Sequence, residues 1–175
     1  IASKPQLLLL DEPSTGLDEK SKQTIHRYLK TQKRVATLLI THDPLEAASL
    51  SERLIILEKG EITQSGTPDE IRNSPATPYS ASLVGLNFVP ALADGLVAMT
   101  NKGVELILSE SIQGQVNIVI PPKSIALYRE KPIGSPRNVL KAKILEINHV
   151  GENVRINLDG QLNFMAEITK NAFEV

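Results

Sequence analysis

The hydrophobic pattern of the chain has two styles. Up to residue 86, continuous apolar runs alternate with one-sided helical stripes, and beyond it only short β-type runs follow one another. The first run, Leu7-Leu8-Leu9-Leu10, is closed by Asp11-Glu12-Pro13. Leucines that do not alternate with polar residues predict a strand covered on both faces, the usual state inside a parallel α/β sheet. Pro13 lacks a backbone donor and marks the strand's end. Asp11 and Glu12 thus reach the carboxyl end of a strand, where open α/β sheets bind their ligands. Two carboxylates at such a place can hold a hard cation and position a water. By itself the acidic pair is also what an ordinary solvated strand end looks like.

Asp18 suits the N-cap of a helix running to about Lys33, with Ile25, Tyr28 and Leu29 as a one-sided apolar stripe. His26 is read as lying off that stripe, a solvated surface residue. Lys30, Lys33 and Arg34 crowd the helix end, where cations complement the macrodipole. Val35 to Ile40 predict the next buried strand, and His42 follows it. Asp43-Pro44-Leu45-Glu46 has the form of a capping box, which would hold His42 between a strand end and a helix start. Arg53 to Leu57 and Ile62 to Ser65 read as a hairpin around a glycine turn. Thr67-Pro68-Asp69-Glu70 is a second capping box, and Thr77-Pro78 opens a helix ending near Gly85. Ile1 to Pro5 reads as a helix tail and turn.

Leu-Leu-Leu-Leu-Asp-Glu-Pro, then Ser14-Thr15-Gly16-Leu17-Asp18, then Thr41-His42-Asp43 resemble the Walker B strand, the D-loop and the switch-histidine loop of ABC transporter ATP-binding subunits. Their order and spacing match, and the hairpin with Gly66-Thr67-Pro68-Asp69-Glu70-Ile71 is similar to importer ATPases rather than DNA-repair relatives. The resemblance implies ATP and Mg2+ as cofactors. Asp11 would help hold the magnesium ion, Glu12 would polarise the attacking water, and His42 would contact the γ-phosphate. Asp18 would face a second copy of the subunit across a closed dimer. No Gly-x-x-x-x-Gly-Lys-Ser/Thr phosphate loop occurs in the chain, so it reads as a C-terminal piece, inactive in hydrolysis alone.

From Leu86 on, runs at 96–100, 104–108, 116–120, 124–128, 138–149, 152–158 and 162–168 predict an all-β domain, a small barrel or sandwich. Position and pattern resemble the transport-associated OB domain of importer ATPases. The fold class expected is therefore α/β, the C-terminal part of a P-loop NTPase parallel sheet over 1–86, followed by an OB-like barrel over 87–175. Ser135-Pro136-Arg137-Asn138 resembles a stretch of the molybdate- and tungstate-associated versions, although Pro136 replaces the usual alanine. Ser135, Arg137 and Lys170 would suit a tetrahedral oxyanion through a hydroxyl and two cations. The same residues also suit an ordinary turn with an exposed arginine.

The net charge of −1 implies no general attraction to nucleic acid or anionic membrane. Phe88, Tyr128, Phe164 and Phe173 are the only aromatics of the β half, too few for a base-stacking groove. The chain has no cysteine, which excludes disulfides and thiolate metal sites. No apolar run approaches a spanning helix, so the chain reads as soluble and any membrane contact goes through a partner. By resemblance the partners are a second ATPase subunit and transmembrane permease subunits, on the cytoplasmic face of the cell membrane. The function expected is an ATP-hydrolysing subunit of an importer for an oxyanion such as molybdate or tungstate. Sulfate, iron, polyamine or sugar are the alternative substrates. A regulatory oxyanion-binding or dimerisation module with an inert ATPase remnant is the competing reading.

Overall fold

β1 (Leu7–Asp11) and β2 (Ala36–Ile40) run parallel, Leu9 opposite Leu38 and Asp11 opposite Ile40, in a computed structural model that describes residues 5–32 and 35–174. The chain divides into two compact units, Ile1–Ala76 and Thr77–Val175, ahead of the 86/87 boundary read from the hydrophobic pattern. In the first unit, α1 (Glu19–Thr31) connects β1 to β2, and α2 (Pro44–Leu50) follows. The hairpin β3 (Leu54–Glu58) and β4 (Glu61–Gly66) and the short α3 (Pro68–Asn73) complete it. The readings of Ile1 to Lys4 and of Lys33 and Arg34 lie outside the described residues.

The helix starts form as their sequences dictate. Asp18 caps α1 by accepting from the Ser21 amide, and Asp43 caps α2 by accepting from the Leu45 and Glu46 amides. Thr67 and Glu70 close a reciprocal box on α3. At Asp43 the box stays half-made: Thr41 Oγ1 takes the Asp43 amide, and Glu46 turns inward instead. β1 and β2 correct another expectation, because they are not covered on both faces. Leu7, Leu9, Leu38 and Ile40 share one side of the two-stranded sheet, and Leu9 is 65 % exposed. Among the described residues that side is open to solvent, while Leu8, Leu10 and Leu39 on the other are half-buried. Within α1, Ile25 and Leu29 are half-buried and Tyr28 is exposed.

The second unit holds α4 (Pro78–Leu83), β5 (Asn87–Thr100), β6 (Glu105–Ile120), β7 (Ala142–Val150), β8 (Asn153–Gly160), β9 (Phe164–Thr169) and the single turn α5 (Lys170–Phe173). β5 and β6 form a long antiparallel ribbon, and β7-β8-β9 form a separate antiparallel sheet. Among the described residues these strands do not close into a barrel. The segment between β6 and β7, expected to add a strand at 124–128, has a 3-10 turn at Pro122–Ser124 and then irregular chain. Pro121, Pro122, Pro132 and Pro136 supply no donors there, which removes rungs a ladder needs.

Two asparagine side chains stand where neighbouring strands would. Asn87 Nδ2 donates to the carbonyls of Ile120 and Met165, while its Oδ1 accepts from the Met165 amide. Asn138 does the same at the edge of β6, accepting from the Ile107 amide and donating to its carbonyl. Val89, Val104, Leu106 and Leu162 form one buried cluster. Val154, Ile156, Leu158 and Ala166 form a second, and Phe164 packs against both. At Gly160 a side chain would meet the Lys141 carbonyl oxygen at 2.5 Å, so the entry to β7 requires glycine there.

Candidate functional site at the ends of β1 and β2

The parallel pairing of β1 and β2 sets the site, because it brings two strand exits side by side. The Glu12 amide donates to the Ile40 carbonyl at 2.8 Å, which carries the β1–β2 pairing one residue past Asp11. Glu12 then turns with φ 44°, in the left-handed region. For a residue with a Cβ this costs on the order of 1–2 kcal/mol. The turn aims its carboxylate at the neighbouring strand exit.

There His42 Nδ1 lies 2.6 Å from Glu12 Oε1, and Thr15 Oγ1 donates to Glu12 Oε2 at 2.9 Å. The hydrogen bond with His42, then that from Thr15, hold the Glu12 carboxyl below its ordinary range. An ionised Glu12 has no proton to give, so Nδ1 of His42 carries the hydrogen. Nε2 can donate to an anion only if it is protonated as well. The dyad is open to solvent, with the His42 side chain 74 % exposed. Asp11, at the last position of β1, is also exposed. Asp18 is committed to its helix: the Ser21 amide, at 2.8 Å from Oδ1, holds its carboxyl low.

Beneath the dyad lies a second group of polar side chains that the hydrophobic pattern missed. Ser14 Oγ donates to Glu46 Oε1 at 2.5 Å, and His26 Nε2 lies 3.0 Å from the same oxygen and 3.2 Å from Ser14 Oγ. Glu46 is 1 % exposed and Ser14 is buried. Burial alone would raise the Glu46 carboxyl, but hydrogen bonds from Ser14, Thr41 and His26, with the charge of His26, bring it below its ordinary range. His26 is therefore not a solvated surface residue. It lies one position from Ile25 and three from Leu29, on the inward flank of the stripe. The helix spacing of Glu46 with Ala47 and Leu50 was the available signal, since α2 exposes Leu45 and buries its glutamate. A cleft of about 190 Å3 lies between the 14–16 turn, Lys22 and the Thr41-His42-Asp43 turn.

Two residues of the expected oxyanion site, Arg137 and Lys170, each meet another group of the second unit. Arg137 Nη1 donates to the Leu108 carbonyl at 3.3 Å, beside the Asn138–Ile107 pairing. Lys170 Nζ lies 3.9 Å from Glu152 Oε1, at the start of α5. Ser135 is exposed. Among the described residues, no hydrogen bond or ion pair joins Lys170 to Ser135 or Arg137. No group of three or more His, Cys, Asp or Glu side chains gathers as a metal site among the described residues.

The chain matches no protein-family model. It is 32% identical over 174 residues to the molybdate/tungstate import ATP-binding protein of Pyrococcus abyssi, covering 97% of this chain and 50% of that protein. It is 32% identical over 165 residues to the molybdenum import ATP-binding protein of Mycobacterium tuberculosis, covering 89% and 44%. A sulfate/thiosulfate import ATP-binding protein of Chromobacterium violaceum is 33% identical over 165 residues, covering 90% and 44%. The chain spans about half the length of these curated relatives. Along nearly all of its own length, then, the relatives of this chain are ABC importer ATP-binding subunits.

Proposed function

We propose that this chain supplies the hydrolytic and γ-phosphate-sensing part of an ATP-driven import subunit. The observation that carries the reading is the 2.6 Å contact between Glu12 and His42, which joins two adjacent parallel strand exits. Glu12 keeps its carboxylate ionised, the state a general base for water requires. His42 is oriented through Nδ1, so its Nε2 is the nitrogen presented to a phosphate. Mg2+ takes most of its oxygens from phosphates and water, and a single exposed carboxylate such as Asp11 suits it. When bound, the ion would neutralise charge on the triphosphate; Asp11 is the residue that would hold it. Residues 1–86 are assigned to the ATPase and 87–175 to an OB-like transport-associated module.

The partners proposed are a second copy of the subunit and membrane permease subunits, with Asp18 near the dimer contact. No helix among the described residues is long and apolar enough to cross a membrane, and attachment to the cytoplasmic face through the permease is the matching proposal. The substrate proposed is an oxyanion such as molybdate or tungstate. The names of two relatives support it, as does Ser135 to Asn138, while a third relative is named for sulfate and thiosulfate.

The test is Mg2+-dependent ATP hydrolysis by the full-length product of the gene, with Glu12→Gln beside it. Loss of a general base is expected to lower turnover at least about 100-fold while nucleotide still binds. Turnover equal to wild type in that variant would remove the role given to Glu12. Calorimetry with molybdate, tungstate and sulfate tests the substrate, and heat with none of them would overturn anion binding by the β module.

A further inference from the structure

His42 is exposed and Glu12 half-buried, yet each stands on a limb with a buried polar anchor. Ser14 lies on the limb of Glu12, and Glu46 lies on the limb of His42. Ser14 and Glu46 touch each other, and His26, from α1, touches both. The hydrogen inventory of the three decides the role of each. Ser14 gives its one proton to Glu46, and an ionised Glu46 has none to give. Both His26 contacts are attractive only if Nε2 carries a hydrogen, shared between Ser14 Oγ and Glu46 Oε1. The imidazole is thus the donor to a buried hydroxyl that gives its own proton away, and it joins Ser14 and Thr41 as a donor to the buried carboxylate.

We propose that His26 is a positioning residue, a brace that locks the Glu12 limb to the His42 limb through Ser14 and Glu46. Lengthening either contact weakens the direct Ser14–Glu46 link between the two limbs, and the dyad then holds its geometry less firmly. The consequence for hydrolysis rests on the ATPase reading given above. The brace itself does not, since it is a property of the chain without nucleotide.

The test is amide hydrogen exchange on the full-length gene product, comparing wild type with His26→Leu, His26→Gln and Ser14→Ala. The amides to follow are Thr15 and Leu17 on one limb and Leu45 and Glu46 on the other, all hydrogen-bonded in the native chain. His26→Leu and Ser14→Ala are each expected to speed exchange on both limbs about tenfold, as local opening becomes easier. His26→Gln keeps an amide donor of similar reach and is expected to stay within about threefold of wild type. Should His26→Leu not fold, Ser14→Ala and His26→Gln carry the same comparison. Protection unchanged in Ser14→Ala, or faster exchange confined to one limb, would overturn the brace. In ATP hydrolysis the matching signature is a lower kcat with KM unmoved, partly restored by His26→Gln. A wild-type protein that never hydrolyses ATP would defeat the ATPase reading and leave the exchange result standing.

Discussion

Nδ1 of His42 sits 2.6 Å from Oε1 of Glu12, although thirty positions separate them in the chain. Neither residue is buried enough to be held by packing. Their meeting depends on the register of two parallel strands and on the brace below.

That contact has a direct spectroscopic consequence. The bond with His42 is the leading cause of the lowered Glu12 carboxyl, with Thr15 second. In His42→Ala the carboxyl is expected to titrate at higher pH than in wild type, and in Thr15→Val by a smaller step. Carboxyl carbon shifts of Glu12 followed by NMR through the acid range check both. Identical titration in wild type and His42→Ala would show that the contact does not persist in solution.

Glu46 predicts an acid dependence of stability. Its carboxyl in the folded chain lies below the ordinary glutamate range. The stabilisation it brings is therefore fully present above the unfolded value and is lost as pH falls through the lowered one. Glu46→Gln has no such titration. Its Tm deficit against wild type is expected to be widest near neutral pH and to narrow toward acid, in thermal melts at stepped pH.

Asn87 offers a test in which two variants differ by chemistry alone. Asn87→Ala leaves the Met165 amide and two carbonyls without their partner and is expected to cost about 1–3 kcal/mol. Asn87→Asp retains the acceptor but sets a carboxylate against the carbonyls of Ile120 and Met165. Its loss is expected to match or exceed that of alanine at neutral pH and to ease when the acid is protonated. Denaturant melts of the two variants at neutral and acid pH check this.

The capping box on α3 is coupled to the glycine before it. A Cβ at Gly66 would lie 2.8 Å from Glu70 Oε2, the oxygen that accepts from the Thr67 amide at 2.8 Å. Gly66→Ala displaces the end of a flexible side chain, so its main effect is to open the box, about 1 kcal/mol. Gly66→Ala and Glu70→Ala are therefore expected to be non-additive, the double variant losing little more than Glu70→Ala. Chemical denaturation around the double-mutant cycle measures the coupling.

Local features were legible in the sequence where neighbouring residues decide them. Leu7 to Asp11 is a strand, and Asp18, Asp43 and Thr67 are N-caps, because each rests on chemistry within a few residues. The candidate pair Glu12 and His42 was legible from motif order, but their contact needed the strand register. Glu46 was misread because an N-cap acid and a glutamate three residues on satisfy the box pattern, whereas a buried hydroxyl and imidazole from other elements drew it inward. β5 was read too short because Pro90 and Gly95 resemble strand breakers. In a two-stranded ribbon Pro90 is tolerated at an edge, and Gly95, with φ 67°, sits at the register shift.

The two asparagines bear on how this molecule meets others of its kind. A free strand edge is an open template for pairing between chains. At Met165 on β9 and at Ile107 on β6, a carboxamide already occupies both the donor and the acceptor that an incoming strand would need. Each substitutes one fixed, finite pairing for an extendable one. Each asparagine thereby blocks strand addition at one position of its sheet margin.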